Sequence, residues 1–264
     1  MPKRYLLDFF ESLEKQTYLG FDIIVLNDNC DVFKGIKGRY SSLNIIDLDV
    51  NGSPAKNREA GINYAINNNY DKLMFADSDD CFSRNRVECS MALLDSWDIV
   101  VNDLALFDDR GLYNVRYMSN RISNGSLVTP DFILEKNILG FTNTAINLSG
   151  VERVSFSSDI IAVDWFFFTS LLLSGAQAIF TNDCLSYYRQ HEESLIGMEE
   201  FSVEKLKKGL LVKMRHYREF PEFGASYEEI SRISKMDVDH LYRKLMAHKV
   251  CWPFWWEEIR EVLV

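Results

Sequence analysis

The chain has little positive charge for its size. Its 264 residues carry 29 Lys and Arg against 39 Asp and Glu, which gives a formal net charge of −10. Proteins that bind nucleic acid without sequence preference depend on a basic surface that neutralises phosphates. The charge balance therefore excludes a general nucleic-acid binder, and we expect no nucleic-acid partner.

Paired cysteines and long apolar runs are also lacking. The apolar segment 166–173 is too short to span a bilayer, and no signal-peptide pattern opens the chain. The cysteines are five, an odd number, and show no CxxC spacing, which is typical of reduced thiols in a cytosolic protein. They are Cys30, Cys81, Cys89, Cys184 and Cys251. We therefore expect a soluble, cytoplasmic protein.

The order of apolar segments predicts an α/β fold. Helical spacing predicts a first helix over residues 2–16 and another over 55–67, and a hairpin is expected at 104–117. We interpret the Lys- and Gly-containing segment 34–38 as an ordinary loop, since it lacks P-loop spacing. Strand-like runs lie at 21–26, 43–48, 72–76, 98–102, 178–180 and 185–191. This alternation favours a mostly parallel sheet flanked by helices.

The C-terminal part of the chain differs in composition. Beyond about residue 198 it becomes charged and aromatic with helical spacing, and Ser226 with Glu229 forms a candidate capping box. We predict a first domain at 1–198 and a helical C-terminal extension at 199–264. An aromatic cluster near the end favours docking onto the core; contact with a membrane interface or an oligomer seam are the alternatives. Its members are Trp252, Phe254, Trp255 and Trp256.

The most informative segment is Asp77-Ser78-Asp79-Asp80, which follows the apolar run 72–76. In open α/β sheets, ligands bind at the carboxyl ends of such strands. Two carboxylates one residue apart can reach one divalent cation, and a hard cation with open positions can take up a diphosphate. The alternative interpretation is an acidic turn or a helix cap.

Two further acidic residues, Asp28 and Asp164, stand at a predicted strand end and a predicted helix start. Together with the 77–80 cluster, Arg58 and the segment Tyr188-Arg189-Gln190-His191, they resemble the inverting glycosyltransferases of family 2. The similarity covers roughly residues 5–197. It implies the GT-A fold of nucleotide-diphospho-sugar transferases and a glycosyltransferase activity.

The resemblance implies a binding site for a nucleoside diphosphate sugar. Asp28 would accept a hydrogen bond from the imide N–H of uracil or thymine, which favours a UDP-sugar donor. Asp77 would hold the ribose or a metal-bound water, and Asp79 would ligate Mn²⁺ or Mg²⁺ on the diphosphate. The remaining residues expected at the donor are Ser78, Arg58, Arg189 and His191. The alternatives are a surface salt bridge for Arg58 and strand-end packing for Arg189 and His191.

By the same resemblance, Asp164 would be the general base that deprotonates a hydroxyl of a saccharide or glycolipid acceptor. Its alternative is simply to cap the helix that it opens. Such a reaction would suit bacterial surface polysaccharide assembly in the cytoplasm.

The sequence departs from the family pattern in three places. Glu59 replaces an Asn after Arg58, and Val163 stands where a Glu often precedes the base. Family members normally have one more strand before the first helix, so we expect the sheet to lack a strand beside the acidic cluster. A non-catalytic relative that binds a nucleotide sugar or a protein partner is therefore the alternative. A sugar-phosphate nucleotidyltransferase would ordinarily carry a Gly-rich, basic first loop that is not found here.

Overall fold

The structure, a computed structural model, describes residues 2–190 and 201–247 together with Glu257 and Ile259. Its helices are α1 (Lys3–Glu14), α2 (Asp31–Ile36), α3 (Pro54–Asn67), α4 (Arg86–Leu93), α5 (Pro130–Ile133), α6 (Val163–Leu173), α7 (Val203–Arg218), α8 (Gly224–Ile233) and α9 (Val238–Ala247). Its strands are β1 (Asp22–Asn27), β2 (Asn44–Asp49), β3 (Lys72–Met74), β4 (Cys81–Phe82), β5 (Ile99–Asp108), β6 (Gly111–Asn114), β7 (Leu127–Val128), β8 (Thr144–Asn147) and β9 (Ala178–Arg189). Strands and helices are interspersed up to β9, and the described residues beyond it form helices only, as the sequence predicts.

The strands form two sheets. The smaller one consists of β1 and β2, paired in parallel. The larger one has the order β3-β8-β5-β9-β4, with β6 added on β5 and β7 on β9. β5 and β9 are parallel, and β8 runs antiparallel to both β3 and β5. The principal strands β3, β5 and β9 therefore point the same way, which confirms the mostly parallel arrangement.

The break between the two sheets lies beside β3. Among the described residues, no strand pairing joins β1 or β2 to the larger sheet. Side chains bridge the break instead: the Tyr70 hydroxyl donates to Asp22 Oδ2 at 2.5 Å, and Leu26 lies directly against Gly61 of α3.

Local sequence explains the helices around the smaller sheet. Pro54 opens α3, and the Ser53 hydroxyl accepts from the backbone N–H of Lys56 at 3.3 Å, a standard N-cap. In α1, Phe10 turns its ring inward and stacks on Phe33 and Tyr40, with ring centroids 5.8 and 5.1 Å away. The aromatic contacts hold α1 and α2 together over β1.

Two local predictions are wrong. Residues 34–38 are helical, in α2 and a 3-10 turn at Lys37–Arg39, because Phe33 and Ile36 at helical spacing are both buried under α1. Ser226 lies inside α8 rather than at its N-cap, because the chain enters that helix directly from a 3-10 turn at Pro221–Phe223.

The C-terminal helices share the main hydrophobic core. Leu206 and Leu210 of α7 are buried in the same cluster as Phe75 and Phe168 of the sheet domain. The domain boundary expected between residues 198 and 199 stays a prediction. In the described part of the chain, no helix is long and apolar enough to cross a bilayer. The aromatic cluster at 252–256 lies outside the described residues.

Candidate active site

The acidic segment that the sequence singles out forms a tight turn after β3. The backbone N–H of Asp80 donates to the carbonyl of Asp77 at 3.2 Å, which closes the turn. Asp77, Ser78 and Asp79 are half-buried, and Asp80 is fully buried. The first three side chains therefore border solvent at the strand end, whereas the fourth points into the protein.

Asp80 anchors this turn to the sheet. Its carboxylate accepts a hydrogen bond from the Thr142 hydroxyl and another, at 2.8 Å, from the backbone N–H of Arg189. Burial raises the pKa of Asp80 well above its usual value, and the nearby charges of Asp77 and Asp79 add to this effect. Asp80 has a structural part in the site.

Asp77 is paired with Arg58. The Arg58 guanidinium on α3 donates to the Asp77 carboxylate, and its central carbon lies 5.0 Å from the centre of the Phe141 ring. Both charged side chains are about one-third exposed. The pair joins the acidic turn to α3 across the break in the sheet, and both groups remain accessible to a ligand.

A cation would have to be held by few protein ligands. Among the described residues, no group of three or more His, Cys, Asp or Glu side chains is placed to hold a metal ion. Mg²⁺ in phosphate-binding sites is commonly held by one or two carboxylates plus substrate phosphates and waters. Asp79 and the second oxygen of Asp77 fit that requirement once a diphosphate is present.

Asp164 lies in the first turn of α6, with Ala162 at the N-cap. It is therefore not the capping residue itself, and its Oδ1 accepts from the backbone N–H of Trp165 at 2.8 Å. Burial raises the pKa of Asp164; hydrogen bonds from Trp165 and the Asn137 side chain oppose this, Asp77 raises it further and Arg58 lowers it. Asp164 thus shares one electrostatic environment with the Arg58–Asp77 pair.

Asp28 is exposed in the turn after β1. Its Oδ2 accepts from the Asn57 side chain on α3 at 3.5 Å. Asn29 next to it has a positive φ of 53°, a conformation that asparagine tolerates in tight turns. Since Asn57 directly precedes Arg58, α3 links Asp28 to the rest of the site.

Arg189 has a different environment from the one expected of a phosphate ligand. Its Nε donates to the Asp79 carbonyl and its Nη2 to Asp8 Oδ2, both at 2.7 Å. Its guanidinium carbon lies 4.3 Å from the centre of the Tyr5 ring and 4.4 Å from that of Phe107. This geometry favours strand-end packing, the alternative given above. His191 lies outside the described residues.

A buried polar network below the acidic turn was not found by sequence reasoning. Arg86, which is 1% exposed, donates from Nη2 to the Phe75 carbonyl at 2.7 Å and from Nε to Asn102 Oδ1 at 3.1 Å. Burial lowers the pKa of Arg86 to about 10. Asn102 in turn donates to Ser186 Oγ at 3.1 Å. The sequence signal for this network is Asn102 itself, a polar residue directly after the apolar run 99–101. Such a residue predicts a strand end equally well.

Comparison with known proteins assigns the family. The model of glycosyl transferase family 2 matches residues 3–147, more than half of the chain. The chain therefore belongs to glycosyl transferase family 2.

One curated relative, the uncharacterized glycosyltransferase YwdF of Bacillus subtilis (strain 168), is 28% identical over 118 residues, which span 44% of this chain and 43% of that protein. The matched region is thus less than half of the relative's length.

Solved structures share the fold. S. aureus TarS 1-349 in complex with UDP-GlcNAc aligns with a TM-score of 0.62 at 16% identity, over 98% of this chain and 87% of TarS 1-349. The mannosyltransferase PcManGT from Pyrobaculum calidifontis, in complex with GDP-Man and Mn²⁺, aligns with a TM-score of 0.57 at 14% identity, over 99% of this chain and 81% of PcManGT. These similarities confirm the GT-A-like glycosyltransferase fold.

Proposed function

We propose that the protein is a metal-dependent inverting glycosyltransferase that uses a UDP-sugar and a hydroxyl of a saccharide or glycolipid acceptor. The observation that carries this proposal is the placement of Asp164 in the electrostatic environment of the Arg58–Asp77 pair at the end of β3. A carboxylate base candidate and a cation-binding strand end therefore face one site, as a displacement at a sugar phosphate requires.

The donor site runs from Asp28 to the acidic turn. An exposed carboxylate at Asp28 suits the imide N–H of uracil, while Ser78 lies between the two aspartates that would meet the ribose and phosphates. The TarS structure holds UDP-GlcNAc and the PcManGT structure holds GDP-Man, so donors with uracil and with guanine both occur in this fold. The carboxylate at Asp28 is the reason for preferring uridine.

Asp79 and the second oxygen of Asp77 would hold Mn²⁺ or Mg²⁺ with the donor diphosphate. When bound, the ion supplies positive charge that stabilises the departing diphosphate. Arg58 is the movable cation of the site, because its pairing with Asp77 is solvent-accessible and can be exchanged for a phosphate oxygen. Arg189 and His191 stay candidate donor residues.

Asp164 would act as the base. Its carboxylate takes the proton of the acceptor hydroxyl as that oxygen forms a bond to the anomeric carbon, while the bond from this carbon to the diphosphate oxygen breaks with its electron pair. A single displacement of this kind inverts the anomeric configuration. The raised pKa of Asp164 makes it a better proton acceptor than an exposed aspartate.

The split sheet favours one alternative function, a non-catalytic module that binds a nucleotide sugar or a protein partner. β1, which carries Asp28 at its end, is supported by one neighbouring strand among the described residues. A nucleobase-binding site built on β1 would be less rigid than one inside a continuous sheet.

Calorimetric titration with UDP, with and without Mn²⁺, tests the proposed function. We expect Mn²⁺-dependent binding that Asp79→Ala abolishes and that Asp31→Ala, a change at a surface aspartate on α2, leaves intact. Slow hydrolysis of a UDP-sugar would then demonstrate catalysis. Binding of UDP without any hydrolysis or transfer favours the non-catalytic alternative, and no binding of any nucleotide contradicts the proposal.

We further propose that the protein acts in the cytoplasm, in polysaccharide assembly, with membrane contact or self-association through the aromatic cluster at 252–256. Flotation with vesicles and light scattering would test these two properties of the C-terminal segment.

A further inference from the structure

Helix α7 packs against two segments that meet at the Asp164 carboxylate. One is the chain after α5, residues 134–137. The other is the first turn of α6, which carries Asp164 and Trp165. Neither segment belongs to the C-terminal region, so α7 is in a position to control their relative placement.

The first segment is held by two side chains of α7. The Tyr217 hydroxyl donates to the carbonyl of Leu134 at 2.8 Å, and the Lys213 ammonium donates to the Glu135 carboxylate. Tyr217 and Lys213 are each 1% exposed. The two α7 groups are themselves buried, so losing either hydrogen bond would leave a buried donor without its partner, which is costly.

The second segment is held by a ring stack. The His216 imidazole lies parallel to the Trp165 indole, with ring centroids 3.8 Å apart and planes 9° apart. Neither His216 nitrogen has a hydrogen-bond partner among the described residues. The His216 ring therefore contacts Trp165 through its flat face. The Trp165 Nε1 in turn donates a hydrogen bond to the Ile133 carbonyl at 2.8 Å.

The two segments converge on Asp164, the proposed general base. Asn137, at the end of the first segment, lies near enough to Asp164 that its side-chain amide lowers the pKa of that carboxyl, against the effect of burial. A Cβ placed on Gly140 would lie 3.9 Å from Asp164 Oδ2, so the loop continues past the same carboxylate. The carboxylate thus accepts a hydrogen bond from the Trp165 N–H in one segment and borders the loop that continues from the other.

We propose that α7 positions the Asp164 carboxylate through Lys213, His216 and Tyr217. The C-terminal helical region is then a necessary part of the active site, although it contributes no group to the reaction. The inference rests on the proposed role of Asp164 as base. The three α7 side chains are positioning residues, since each acts through Trp165 or the 134–137 segment.

His216→Ala and His216→Phe test the stack. The alanine variant removes the ring face, and we expect the single-turnover transfer rate to fall about tenfold or more while the Kd of the UDP-sugar stays within about twofold. The phenylalanine variant keeps a flat ring and is expected to keep the transfer rate. Leu211→Ala, on the exposed face of the same helix, is the matched control.

Tyr217→Phe is the gentler test, because it removes one hydrogen bond and leaves the buried ring in place. We expect a smaller fall in transfer rate, again without a change in donor Kd. A full transfer rate in folded His216→Ala overturns the proposal, as does a rate in His216→Phe as low as in His216→Ala.

Amide hydrogen exchange decides the structural half of the inference without any catalysis. In His216→Ala and Tyr217→Phe we expect faster exchange in residues 133–140 and 163–166 than in Leu211→Ala, under conditions where all three are folded by circular dichroism. Unchanged exchange there contradicts positioning by α7. If the unmodified protein transfers no sugar, the proposed function fails, and the exchange result still decides whether α7 holds these segments.

Discussion

The two sheets of the molecule differ sharply in how they are supported. In the central strand β5, residues 99–106 are buried, whereas β1 and β2 are mostly half-exposed. A two-stranded sheet is marginal on its own, so β1 and β2 depend on α1, α2 and α3. The candidate site spans this difference, because Asp28 follows β1 of the smaller sheet, whereas the acidic turn follows β3 of the larger sheet and Asp164 opens α6.

The difference suggests a division of work between the two regions. The turn that carries Asp77 and Asp79 is fixed by buried hydrogen bonds, those of Asp80 and of the Arg86 side chain below it. The proposed nucleobase-binding side can move with less cost, because among the described residues no strand pairing joins β1 or β2 to the larger sheet. Damage to the larger sheet should therefore affect stability and chemistry, and damage at the break should affect donor affinity.

The largest effect is expected at Asp164, the proposed general base. Asp164→Asn should lower the transfer rate by about 10²- to 10⁴-fold, because the amide cannot accept the acceptor proton. The Kd for UDP measured by calorimetry should stay unchanged. Asp159→Asn, at an exposed aspartate in the loop before α6, is the control. A variant at Asp164 with normal turnover would remove this residue from the mechanism.

The next effect concerns the network under the acidic turn. Arg86→Met should destabilise the protein by about 1–3 kcal/mol, because it leaves the Phe75 carbonyl and Asn102 Oδ1 buried without their donor. Urea unfolding measures the loss, with Arg84→Met as the exposed counterpart. A loss no greater than that of the control would mean that water replaces the guanidinium.

A third prediction concerns acid stability. Burial and the neighbouring Lys213 charge lower the pKa of His216 to about 3, from an ordinary value of 6.5. The unfolded chain therefore binds the extra proton first, and His216 costs stability as pH falls below 6.5. Between pH 7 and pH 4 this amounts to about 3 kcal/mol.

His216→Phe should remove this part of the pH dependence and raise the stability at neutral pH, since two unpaired polar atoms leave the core. Urea unfolding of both proteins at pH 7, 5.5 and 4 is the measurement. An equal acid loss in both proteins would show that other groups cause it.

The smallest effect is expected at the break between the sheets. Tyr70→Phe removes the hydrogen bond to Asp22, which also raises the pKa of Tyr70 to about 12. We expect a loss of about 0.5–1 kcal/mol in stability and a several-fold weaker UDP affinity with an unchanged transfer rate at saturation. Tyr64→Phe on α3 is the control. A fall in the saturated transfer rate instead would contradict the proposed division of work.

Prediction from sequence was strongest where one segment suffices. The apolar spacing of α1 and the Ser53-Pro54 start of α3 are local signals, and both helices are found. Segment 34–38 was misjudged because its helical character depends on burial under α1, a contact between distant residues.

The same limit applies to the site. Asp77, Asp79 and Asp164 stand out in the sequence by their positions after a strand or at a helix start. The tasks of Arg189 and Asp80 do not, since each is decided by partners between 62 and 181 positions away in the chain. The sequence carries no signal for the contact of His216 with Trp165, because the two residues are 51 positions apart.

The sequence by itself determined the α/β alternation, the family resemblance and the acidic strand end, because each depends on neighbouring residues and their spacing. Only the tertiary structure decided that Arg58 pairs with Asp77, that Arg189 is packed between aromatic rings, and that α7 contacts both segments beside Asp164. The physical reason is that burial and charge pairing are properties of the folded chain. A residue's neighbours in space set its hydrogen bonds and its pKa, and a linear pattern does not specify them.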